Sequence, residues 1–140
     1  MQKYKFIVII SVVLLIFIIS YIIVFRGTGT TIKEITNNKY YISDHVISQP
    51  GESVKFGYIL INSKTNKQIG NWIQKYKIDV ENNTIYIKSK NSIVDNYEEW
   101  YVLNYKTDNV DKYLSLEEMD IKLKDIFENN SSWVVPSENS

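Results

Sequence analysis

Acidic side chains fall in close pairs along this chain, at Glu98-Glu99, at Asp108 with Asp111, and at Glu117-Glu118. Two carboxyl groups facing each other across a cleft can serve as the acid and base of glycoside hydrolysis, so these pairs are the first candidates for catalysis. None has a context that singles it out. Glu117 and Glu118 stand where the start of a helix attracts negative charge, and Asp108 stands in the turn Thr107-Asp108-Asn109. The single histidine, His45, follows Asp44, and neighbours in a strand leave on opposite faces. One histidine builds no histidine-based metal site, and a base needs a nucleophile and an orienting group close in space. Asp79-Val80-Glu81-Asn82 offers oxygen ligands but lacks the spaced acids, the Gly and the closing Glu of an EF-hand loop. It reads better as a tight turn. No catalytic, cofactor-binding or metal-binding residue is therefore assigned, and no cofactor is expected. Trp72, Trp100 and Trp133, with eleven tyrosines, can stack on sugars or anchor an interface, or can build the core. In a chain with no alanine, volume must be filled by Ile and aromatics, which assigns Trp100 to the core.

Composition narrows the classes. A length of 140 residues suits one domain, or a smaller domain with an appendage. Sixteen basic residues balance sixteen acidic ones, which removes the charge surplus that nucleic-acid binding requires. The absence of cysteine excludes disulfides, thiolate metal sites, a cysteine nucleophile and a lipid-bearing cysteine.

The strongest signal is Phe6 to Phe25, FIVIISVVLLIFIISYIIVF, twenty residues without a charge, Gly or Pro. At about 1.5 Å per residue this run matches a hydrocarbon core of roughly 30 Å. A lone segment in lipid must satisfy its backbone internally, so a transmembrane helix is expected despite the β-branched composition. Lys3 and Lys5 precede it, whereas Arg26 is soon followed by the offsetting Lys33 and Glu34. The positive-inside bias puts residues 1–5 in the cytoplasm and the C-terminal domain outside the cell membrane. A cleaved signal is disfavoured because its apolar region runs to only about 7–15 residues. The lipid bilayer is thus an expected partner, through residues 6–25.

Residues 26–31 read as a short linker, 32–136 as an extracytoplasmic domain and 137–140 as a frayed tail. With Lys3, Lys5 and Arg26 set aside, thirteen basic residues face sixteen acidic ones, a net charge of −3 that gives the domain no general attraction to anionic headgroups. Period-two patterning predicts strands at Ile32–Ile35, Lys39–Ile47, Ser53–Asn62, Lys67–Val80 with a bend at Gly70-Asn71, Thr84–Lys90, Trp100–Lys106 and Val110–Tyr113. Ile78, Val80, Ile85 and Ile87 are expected on one side of a hairpin. The strand at Trp100 is apolar on both faces and should be central. Ser115-Leu116-Glu117-Glu118 fits a capping box, opening a helix that carries Leu116, Met119, Leu123, Ile126 and Phe127 as its apolar stripe and ends near Asn129-Asn130. Ile121 falls off that stripe. The predicted fold class is α+β: an N-terminal transmembrane helix, then a small antiparallel β-meander domain with one C-terminal amphipathic helix.

The stretch from Tyr40 to Trp133 resembles a family of short uncharacterised envelope proteins, a domain of unknown function from low-GC Gram-positive bacteria. The resemblance lies in Tyr40-Tyr41-Ile42-Ser43-Asp44-His45-Val46-Ile47, in Lys77-Ile78-Asp79 followed by Thr84-Ile85-Tyr86-Ile87-Lys88, and in Trp100-Tyr101-Val102-Leu103-Asn104 before the Ser115 segment. It implies an envelope-exposed, non-enzymatic domain with no catalytic residues to carry over. Members often look like lipoproteins, and this chain departs from them in having no cysteine. The function expected is a membrane-anchored binding or accessory domain whose partner is an envelope protein or surface ligand, with no nucleic acid. Two alternatives differ in class: a small envelope hydrolase, and a membrane immunity or accessory protein acting through its transmembrane helix.

Overall fold

The computed structural model describes residues 31–47, 55–91, 97–129 and 131–136. The expected cytoplasmic tail, the span 6–25, the linker before Thr31 and the tail 137–140 lie outside these residues. Among the described residues no helix is long and apolar enough to cross a membrane. A compact unit begins at Thr31.

The first element corrects the expected strand at Ile32–Ile35, which is one helical turn, α1. The Thr31 hydroxyl accepts from the Glu34 amide at 3.4 Å, and Asn37 and Asn38, at φ 53° and 59°, end the turn in the left-handed region that asparagine tolerates. Ile32 still points inward, at 1% exposure. The buried Thr36 hydroxyl donates to the Ile32 carbonyl at 2.7 Å and accepts from the Tyr40 amide at 3.0 Å, tying α1 to the next strand.

Among the described residues seven strands follow, in two antiparallel sheets. The first has the order β1 (Tyr40–Ile47), β2 (Lys55–Asn62), β3 (Gln68–Ile69). The second runs β4 (Trp72–Asp79), β5 (Thr84–Lys90), β6 (Glu98–Asn104), β7 (Asn109–Tyr113). The molecule is mostly β, with two meanders where one was expected, because Lys67–Val80 is two strands in two sheets and not one bent strand. Gly70 makes the break at φ 74°, where a Cβ would sit 3.1 Å from Ser89 Oγ and 3.2 Å from Ile73 Cγ1. The fully buried Ser89 hydroxyl accepts from the amides of Asn71 at 3.2 Å and Trp72 at 3.1 Å. Those part-buried donors lie between the end of the first sheet at Ile69 and the ladder of the second, where the hydroxyl stands in for a ladder acceptor.

Asn and Asp close the turns. Asn62 Oδ1 accepts from the Lys64 and Thr65 amides at 3.0 and 3.2 Å, and Asn104 Oδ1 accepts from those of Lys106 and Thr107, both at 3.1 Å. Asn66, Asn83 and Asp108 take φ of 54°, 55° and 63° at the β2–β3, β4–β5 and β6–β7 connections.

One core joins the sheets through Ile32, Tyr40, Leu60, Ile73, Ile85 and Leu103, among others. Ile78 faces Ile85 and Tyr76 faces Ile87 across the β4–β5 ladder. Val80, expected beside them, lies in the turn at 59% exposure, one residue past the strand that would have turned it inward. β6 is internal and apolar on both faces, with Tyr101 and Leu103 in this core and Trp100 in a second one with Tyr86, Met119 and Phe127.

That second core lies under the C-terminal segment, which also differs from expectation. Ser115 makes no side-chain cap bond, and Leu116–Glu118 is a short 3-10 turn. Glu118 Oε2 instead accepts from the Leu114 amide at 2.7 Å. The chain restarts as α2 (Ile121–Glu128), capped by Asp120, whose Oδ1 accepts from the Leu123 amide at 2.8 Å. This restart explains Ile121, which opens α2 facing solvent at 81% exposure. Beyond α2, Val134 exchanges two backbone hydrogen bonds with Tyr76, of 2.9 and 2.8 Å, and so extends the β4 edge.

Removing the Ser89 hydroxyl should orphan the two amides at the break. Ser89→Ala in residues 30–140 should cost about 1–3 kcal/mol of unfolding free energy, against at most about 0.5 kcal/mol for the exposed Ser131→Ala, both read by urea denaturation.

Candidate functional site

A shallow groove of about 300 Å³ is lined by Ile35, Thr36, Asn37, Lys39, Tyr105 and Lys106. It lies where the end of α1 meets the β6–β7 turn, and a polar cluster forms its rim. Lys39 Nζ is 2.7 Å from Asp108 Oδ1 and donates to the carbonyls of Tyr105 at 3.0 Å and Lys106 at 3.4 Å. Three acceptors match the three donors of an ammonium group. The Tyr40 hydroxyl donates to the same Asp108 oxygen at 2.7 Å.

Electrostatics shifts the proton affinity of Asp108 and Tyr40. The hydrogen bond from Lys39, followed by that from Tyr40, holds the Asp108 carboxyl below its ordinary range. Burial, followed by the bond to Asp108, pushes the Tyr40 phenol up to about 12. An acid or base catalyst works best with a pKa near the operating pH, and both groups are driven away from neutrality. The cluster therefore acts as a clamp between α1–β1 and the β6–β7 turn.

The carboxylate pairs are separated in the same way. Glu98 and Glu99 leave β6 on opposite faces. Glu98 is 2.6 Å from Lys88. Glu99, at 3% exposure, is 2.7 Å from Lys112 Nζ and accepts from the Tyr101 hydroxyl at 2.5 Å. Burial first, and the bond to Glu99 second, raise the Tyr101 phenol above its ordinary value. Asp111 is exposed on β7, Glu117 is exposed, and Glu118 serves the Leu114 amide. Asp79 closes its turn by accepting from the Asn82 amide at 3.1 Å and the Asn82 side chain at 2.7 Å, which lowers its pKa. Asp44 is exposed on β1, and the His45 backbone faces Gly57, with the imidazole outside the described part. Among the described residues no group of three or more His, Asp or Glu could hold a metal ion.

The tryptophans divide. Trp100 is buried at 8% exposure, as assigned. Trp133 is half-buried, 5.7 Å from the Phe127 ring and 4.7 Å below Lys75 Nζ, while its own Nε1 donates to the Asn129 carbonyl at 2.7 Å. Trp72 is half-buried opposite Lys90. The Lys39–Tyr40–Asp108 clamp was not legible in the sequence, since Tyr40 and Asp108 are 68 residues apart and no local motif links them.

No protein-family model, curated protein or solved structure matches this chain.

The clamp predicts opposite pH signs for Asp108 and Tyr40. Asp108 has a lowered pKa in the folded state, so its contribution is present above the unfolded carboxylate value and is lost as pH falls through the folded one. Tyr40 has a raised one, so its contribution is complete below about pH 10 and is lost as pH rises towards 12. Thermal melts from pH 2 to 12 should show Asp108→Asn flattening the acid limb and Tyr40→Phe flattening the alkaline limb. Parallel curves for parent and variants would remove the clamp.

Proposed function

We propose that this chain is a single-pass, membrane-anchored protein whose extracytoplasmic domain binds or assists an envelope partner without catalysis. The observation that carries this reading is the uncharged run Phe6–Phe25, joined through small polar residues to a compact unit that begins at Thr31. Lys3 and Lys5 ahead of the run support an outward-facing domain. The engagement of the described carboxylates supports the non-enzymatic part: Glu98, Glu99 and Asp108 are held by lysines, and Asp79, Glu118 and Asp120 by turn and cap amides. The resemblance of Tyr40–Trp133 to short uncharacterised envelope proteins is in keeping with this reading.

A reporter fused after Ser140 should be active only outside the cytoplasm, and residues 30–140 alone should be soluble and monomeric with one cooperative thermal transition. Cytoplasmic activity of the fusion contradicts the orientation, and a mature chain starting near Thr30 contradicts the anchor. A requirement for detergent means that the membrane segment completes the core. If an unrelated anchor replacing residues 6–25 abolishes function while the domain stays folded, the protein acts through its transmembrane helix.

A further inference from the structure

The β4 edge of the second sheet is covered by the chain itself, and covered incompletely. Val134 donates to the Tyr76 carbonyl at 2.8 Å and accepts from the Tyr76 amide at 2.9 Å. Among the described residues no other backbone hydrogen bond joins β4 on the side away from β5. Backbone groups alternate in direction along a strand, so the amide and carbonyl of Ile78 leave this edge beside those of Tyr76, with no described partner. The antiparallel register that sets Val134 opposite Tyr76 would set Ser132 opposite Ile78, but Ser132 turns away at φ 67°. In the other direction the segment reaches Pro136, which has no amide to give. Its root is Trp133, whose Nε1 donates to the Asn129 carbonyl at 2.7 Å and whose ring lies 5.7 Å from that of Phe127. Past the root, Val134 is half-buried against the main core and Pro136 is buried, while Val135 between them is 74% exposed.

We infer that this edge takes up an extended segment of a partner protein, added as a strand to β4 in place of residues 134–136. The inference rests on the reading of this domain as a non-enzymatic binding module and names its mode of binding. Strand addition draws affinity from main-chain hydrogen bonds and specificity from alternate side chains. The resident segment shows the chemistry that the edge accepts, which is apolar side chains at alternate positions: Val134 and Pro136 are covered and Val135 is not. An incoming strand with neither the left-handed turn nor the proline keeps the two bonds to Tyr76 and adds those to Ile78. That difference is what lets it displace the resident segment. The other edges are less suited. β3 has two residues, and β7 exposes Asp111 and Lys112, charges that discourage pairing. β1 matches β4 in length, but among the described residues no strand pairs with its outer side to show what it accepts.

The test uses the full chain in phosphatidylcholine nanodiscs, with a labelled synthetic peptide of alternating valine and threonine as probe. Its fully N-methylated counterpart, which has no amide to donate, is the comparison. The unmodified peptide should bind, slowing hydrogen exchange of the Ile78 amide and speeding that of the Val134 amide, because one gains a partner as the other loses it. Val134→Pro, which removes the resident donor, should tighten binding roughly tenfold, the weight of two ordinary backbone hydrogen bonds. Lys75 and Val135 flank the Tyr76–Val134 bridge, and the chain has no cysteine of its own. Lys75→Cys with Val135→Cys, once oxidised, should therefore hold the segment in place and abolish binding, and reduction should restore it. Melting temperatures show that each variant is folded. Equal binding of the N-methylated peptide would mean contact without a ladder and overturns strand addition. An oxidised variant that binds like the parent, or binding without protection of Ile78, puts the peptide elsewhere and overturns the site. Protection of Ile78 that rises with the number of copies per nanodisc, without peptide, makes the occupant a second copy and overturns the assignment to a partner. Absence of binding by the parent and by Val134→Pro alike overturns the inference, while the topology reporter decides the anchored reading independently.

Discussion

The Ser89 hydroxyl, accepting the amides of Asn71 and Trp72 across the break after Gly70, is the interaction on which the rest of the architecture depends. The chain passes from the first sheet to the second at this point. A strand that continued straight would keep Gln68–Asp79 in a single ladder and leave one sheet with no cover. The left-handed glycine turns the chain, and the hydroxyl supplies the hydrogen bonds that the turned backbone has lost. A buried serine of this kind is specific in a way that an apolar side chain is not, because its alternative is two part-buried donors without this acceptor.

The two other polar clusters fasten the edges of the same assembly. Lys39, Tyr40 and Asp108 tie the start of the first sheet to a turn of the second, and Glu99, Tyr101 and Lys112 fix the edge strand β7. Asp108 is too exposed for its ion pair to contribute much by itself, and the hydrogen bond from buried Tyr40 gives the clamp its direction. Glu99 is the opposite case, a buried carboxylate that would be costly without both partners. Glu99, Asp108, Lys39 and Lys112 are thus engaged in holding elements together.

Much of this fold could be read in the residues. β5 was bounded correctly by Thr84 and Lys90, and the two-faced β6 was recognisable because Trp100 and Val102 alternate with Tyr101 and Leu103. Of three failures, two are competitions between nearby hydrogen-bonding partners, and the third turns on a bond across the fold. Ile32 and Ile35 are three residues apart, a helical and not an alternating spacing, and the Thr31 cap and the two left-handed asparagines close a helical turn. Ser115 and Glu118 have capping-box spacing, yet Glu118 serves Leu114, and Asp120 takes over the cap. Gly70-Asn71 announced a bend. That it was a full transfer between sheets depended on Ser89, 18 residues away from Asn71. The clamp was invisible because Lys39 and Asp108, far apart in the chain, meet only through the tertiary fold.

If the break is a weld, the two sheets are one cooperative unit, and the second sheet is supported by the core of the first. Native-state hydrogen exchange tests this most directly, comparing Leu60 in β2 with Leu103 in β6. Both are fully buried. The account predicts equal opening free energies and equal denaturant dependence for the two amides, with Trp72 joining them. Exchange of Leu60 at a clearly lower free energy than Leu103 would show the sheets opening separately and would contradict it.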